Sequence, residues 1–173
     1  MREMISLFAA GDPVLSDTVW KDWYQFCLQQ EQRYGFVFSH VSCDTETLHP
    51  DGVRTRSRYL KKIEAAVNDK ENISHIEFYL LPKKFCQAVF DFKVYMGLSL
   101  GTRSYCEITI EDHFLEEFPC QDYLNKVREF LHVSKAEINL LPNSQVFNYN
   151  VNCILSPVDG REARHIIRKI YAG

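Results

Sequence analysis

Hydrophobic and polar positions alternate most regularly between Ile73 and Glu111. Ile76, Phe78 and Leu80 interleave with His75, Glu77 and Tyr79. Phe90, Phe92, Val94 and Met96 interleave with Asp91, Lys93 and Tyr95, and Cys106, Ile108 and Ile110 with Tyr105, Glu107, Thr109 and Glu111. A period of two places alternate side chains on opposite faces of a strand. The pattern therefore predicts three consecutive strands, Ile73–Leu81, Phe85–Leu98 and Ser104–Glu111. Together they form an antiparallel meander with an apolar back and an aromatic, acidic front.

Elsewhere the period is mixed. Met4–Ala10 reads as a strand broken by Gly11-Asp12-Pro13, and Phe36–Cys43 as a buried strand. Between them, Val19, Trp20, Trp23, Phe26 and Cys27 recur at helical spacing, with Gly35 placed to end the helix. A second helix starts near Thr55 or Ser57 and carries Tyr59, Leu60, Ile63, Ala66 and Val67 on one face. Arg54, Arg56, Arg58, Lys61 and Lys62 crowd its beginning, where the helix dipole disfavours cations. That placement calls for an acidic neighbour or for a use of the charge. A third helix is expected over 121–132, a strand over Ala136–Leu141, and another over Phe147–Cys153. A fourth helix is expected from Asp159, with Glu162 completing a capping pair and Ala163, Ile166, Ile167, Ile170 and Tyr171 as its apolar stripe. The expected fold is α+β: one domain over residues 1–173, a largely antiparallel sheet built on the 73–111 meander, and about four helices packed mainly on one face.

At 173 residues, 46% hydrophobic and 25% charged, the chain can bury a core of its own. The net charge of −3 argues against general nucleic-acid binding, which needs a concentrated basic surface. Six cysteines without a C-x-x-C pair suit free thiols in a reducing compartment. The apolar run Ile5–Ala10 is too short for an export signal, and no apolar run is long enough to cross a bilayer, so a soluble, cytoplasmic protein is expected.

Candidate chemistry is sparse. No glycine-rich phosphate loop, nucleophile elbow or local pair of metal-ligating histidines is present, so no cofactor, metal or catalytic residue is expected from motifs. What the sheet does not need for its own construction is the front of the meander. There Glu77, Tyr79, Asp91, Tyr95, Tyr105, Glu107 and Glu111, continued by Asp112 and Glu116, present tyrosines among carboxylates. Tyrosine buries a large area while keeping a hydrogen bond, and surrounding acids steer a basic partner. These nine residues are the expected contact surface for another protein with a basic face.

In size, mild acidity and tyrosine-rich acidic strands over Ile73–Glu111, the chain resembles the immunity proteins of bacterial toxin systems. The resemblance implies a small cytoplasmic α+β domain that binds and blocks a toxin. Two other readings stand beside it. One is an enzyme whose site unites His40 or His75 with distant carboxylates or a cysteine. The other is a structural subunit that self-associates through its strand face or a sheet edge, giving a homo-oligomer.

Overall fold

The computed structural model describes residues 3–45, 48, 52–82, 92–111, 118–143 and 146, and the backbone of 165–171. Its frame is an eight-stranded sheet: β1 (Glu3–Pro13), β2 (His40–Thr45), β3 (Arg54–Thr55), β4 (Ile73–Leu80), β5 (Val94–Ser99), β6 (Tyr105–Glu111), β7 (Leu131–Pro142) and β8 (His165–Tyr171). In space they run β3-β2-β4-β5-β6-β1-β7-β8, and every pairing is antiparallel. The expected meander is present as β4-β5-β6. The amino-terminal strand is inserted between β6 and β7, far from its neighbours in sequence. The α+β class and the antiparallel sheet agree with the sequence reading.

Three helices occur among the described residues: α1 (Val19–Tyr34), α2 (Arg56–Asn68) and α3 (Cys120–Val127). All three pack on one face of the sheet, over Ile5, Leu7, Val41, Ile76, Phe78, Met96, Leu98 and Ile108. The tryptophan stripe of α1 is core. Trp23 is fully buried, meets Phe130 edge-on at 5.7 Å, and donates its indole N–H to the Ile76 carbonyl at 3.1 Å. Gly35 ends α1 in the left-handed region (φ 67°), where a side chain would be strained.

The expected fourth helix is a correction. Residues 165–171 form β8, paired with β7 from Lys135↔Tyr171 to Leu140↔His165. The ladder of β7 supplies backbone partners, and Ile166, Ile167, Ile170 and Tyr171 are β-branched or aromatic residues that suit a strand. Tertiary pairing outweighs the helical spacing of the stripe. The third helix is shorter than expected, because β7 starts at Leu131. The expected strand over Phe147–Cys153 lies outside the described residues.

Phe92 is a second correction. The alternation assigned it to the same side as Val94 and Met96. It lies instead just ahead of β5, on the opposite face, against Tyr95 at 5.6 Å. There it joins Met4, Phe8, Tyr79, Leu81, Leu141 and Val146 in a second buried cluster. The sheet is thus covered on both sides at its centre. Every position of β5 from Val94 to Leu98 is buried.

Candidate functional site

The register of the sheet gathers most of the front residues. Glu77 lies opposite Gly97, Gly97 opposite Glu107, Glu107 opposite Phe8, and Phe8 opposite Glu137. Three carboxylates therefore stand in one row on alternate strands. Adjacent strands are about 4.8 Å apart, so each carboxylate-bearing position is roughly 10 Å from the next. The neighbouring row is His40, Tyr79, Tyr95, Thr109, Ser6 and Asn139.

Hydroxyls converge on the carboxylates. Tyr79 and Tyr95 both donate to Glu77, at 2.6 and 3.0 Å, with their rings 5.1 Å apart. Thr109 lies 3.0 Å from Glu107 and 2.8 Å from Ser6. Its one proton cannot serve both oxygens. The carboxylate is the stronger acceptor, so Thr109 donates to Glu107 and accepts from Ser6. Tyr105 stacks on Phe8 at 5.4 Å. Burial, reinforced by the charge of Glu77, pushes the hydroxyls of Tyr79, Tyr95 and Tyr105 well above the usual tyrosine range. All three are neutral at every physiological pH, and Tyr79 and Tyr95 serve as donors to Glu77.

Exposure differs from the sequence expectation. Tyr79, Tyr95 and Glu107 are 7%, 3% and 1% exposed, so they stand within the fold rather than on an open contact surface. Period-two spacing assigns side chains to a face, and the chain's own residues cover this one. Glu77, Tyr105 and Glu111 are half-buried and reach solvent at its margin. Asp91, Asp112 and Glu116 lie outside the described residues.

The histidines of the enzymatic reading are separated. His75 Nε2 is 3.3 Å from Ser42 Oγ, and His40 Nδ1 is 2.9 Å from Ser39 Oγ. His40 stands beside cations. With Val53, Arg54, Thr55, Arg58, Tyr59 and Lys62 it lines a cavity of about 550 Å³ where β3 turns into α2. Loss of hydration lowers the His40 pKa. Among the described residues, no group of three or more His, Cys, Asp or Glu is placed to hold a metal ion.

The sequence signal for this groove is the basic run at the start of α2. An acidic neighbour is found for Arg56, whose Nη2 is 3.0 Å from Glu31 Oε2. What linear reading did not supply is His40, brought in from β2 by the pairing His40↔Thr55. Compared with known proteins, the chain matches no family model, no curated relative and no solved structure.

Proposed function

We propose that this chain is a protein-recognition domain that neutralises or regulates a basic partner, with a contact centred on Glu77. The observation that supports this reading is the state of the Glu77 carboxylate. Two buried tyrosines hold it by hydrogen bonds of 2.6 and 3.0 Å while the residue remains partly open to solvent. An exposed carboxylate normally loses rotamer freedom when it forms an ion pair, and this loss cancels much of the gain. Glu77 is fixed in advance, so less is lost when an Arg or Lys of a partner arrives. Tyr105 and Glu111, half-exposed on the same face, would flank the contact. Glu107 behind them adds to the negative potential that steers association.

By resemblance to toxin-system immunity proteins, the partner is a toxin whose active site is occluded. A cytoplasmic setting fits the thiols: Cys27, Cys43 and Cys106 are buried and free. No helix among the described residues is long and apolar enough to cross a membrane.

The test is capture from the native cell with the wild-type chain and with Glu77→Gln as baits, followed by affinity measurement on the purified pair. The substitution keeps size and removes the charge. A partner bound about tenfold more weakly by Glu77→Gln, with a flatter salt dependence, supports the reading. Equal affinity and equal salt dependence would remove this surface from the contact.

A further inference from the structure

The start of α2 runs against helix electrostatics. Its first turn contains no acidic residue, and the side chain of Thr55, at the N-cap, makes no capping hydrogen bond. Arg54, Arg58 and Lys62 follow one another at intervals of four and all line the same cavity, joined by His40, Thr55 and Tyr59. Arg56 is out of phase with them and is neutralised by Glu31 at 3.0 Å. Among the described residues, Arg58 and Lys62 have no ion pair, and Lys62 Nζ stands 5.4 Å from the centroid of the Tyr59 ring. No carboxylate is among the described residues that line the cavity.

Arg58 lies in the first turn of α2, where the helix dipole disfavours a cation, and Lys62 is a like charge four residues on; a bound anion reverses the sign of both effects. The volume, about 550 Å³, lies in the range of small-molecule sites. We propose that this groove binds a phosphate-bearing small molecule, with Arg58 and Lys62 as its principal contacts. A guanidinium fork matches two phosphate oxygens, Lys62 adds a point charge, and the Thr55 hydroxyl adds a donor. Arg58 and Lys62 are one helical turn apart, about 6 Å along the axis, which suits two linked phosphates better than one.

A polymer fits less well. Nucleic acid requires a basic stripe extending beyond one pocket. Here Glu64 and Asp69 follow on the same stretch of chain, and the whole protein is net acidic. The groove does not depend on the Glu77 contact, since none of its lining residues belongs to the carboxylate row.

Calorimetric titration of the full chain tests the assignment, with inorganic phosphate, inorganic pyrophosphate, ADP and a short single-stranded oligonucleotide as probes. Saturable binding of pyrophosphate or ADP to one site per chain is expected. It should weaken about tenfold or more in the double variant Arg58→Gln/Lys62→Gln, and stay unchanged in Lys126→Gln/Arg128→Gln at the end of α3. Tighter binding of ADP than of pyrophosphate identifies a nucleotide, and the reverse a simple phosphoanhydride. Both outcomes support the site. Arg58, Lys62 and Arg128 are exposed and Lys126 is partly so, and thermal melts should show both variants folded. The proposal is overturned if neither compound binds saturably, if the Arg58/Lys62 variant binds as wild type does, or if the oligonucleotide outcompetes both at about 0.15 M salt.

Discussion

The Tyr95 hydroxyl lies over Gly97, at the point where any β-carbon would stand. A side chain at position 97 would overlap the ring and its oxygen. Glycine is therefore required in the middle of a central strand, where it is otherwise unfavourable. It lets Tyr95 lie along β5 and reach Glu77 on the next strand. Gly97→Ala should destabilise the fold by about 1–3 kcal/mol, the usual cost of overpacking. Combined with Tyr95→Leu, the loss should be clearly less than additive, because the second change removes the group that the first one strikes. Urea denaturation of the two single variants and the double variant measures the coupling. Strict additivity would mean that the two positions do not compete for space.

Alkaline pH should unfold this protein through its tyrosines. Burial pushes Tyr24, Tyr79, Tyr95, Tyr105 and Tyr123 above the ordinary value of 10.0, helped by neighbouring Glu64 at Tyr24 and Glu77 at the middle three. Below pH 10 these side chains are protonated whether the chain is folded or not, and their contribution is complete. Above it the unfolded chain releases protons that the folded one retains, so stability falls as pH rises. Tyrosinate absorbance followed alongside circular dichroism should show these five ionising together with loss of structure. Their ionisation in a still-folded protein would contradict the burial.

Glu31 should matter more than its partner. It accepts from Arg56 at 3.0 Å and from the Phe38 backbone N–H at 2.8 Å, and its side chain is only 12% exposed. Removing it strands a guanidinium that is itself 24% exposed and leaves the amide unsatisfied. Glu31→Ala should cost about 2–3 kcal/mol, and Arg56→Ala about 1 kcal/mol, since Glu31 then keeps its backbone donor. Thermal melts of the two variants give the order. A larger loss for Arg56→Ala would show that the Phe38 bond contributes little.

Much of the meander was legible in the residue pattern alone. Ile76, Phe78, Met96 and Ile108 face the helices as their alternation implied. Glu77, Tyr79, Tyr95, Tyr105 and Glu107 do share the other face. Their exposure was not legible, because alternation carries no information about whether a face meets water or other chain segments. Phe92 slipped out of phase for a related reason: it lies ahead of the first residue of β5, where the period no longer applies. The 165–171 segment failed differently. Its isoleucines are compatible with both periods, and the edge of β7 decided between them.

Residue type and spacing by themselves determined the α+β class, the antiparallel meander and the tryptophan core of α1, since these rest on local periodicity and burial of apolar groups. Only the tertiary structure decided that β1 is inserted between β6 and β7 and that the acidic tyrosine face is largely interior. It likewise decided that Tyr79 and Tyr95 converge on Glu77, and that His40 closes a groove with Arg58 and Lys62. Each of these depends on pairing between strands remote in sequence, where register, rather than any local pattern, sets which side chains meet.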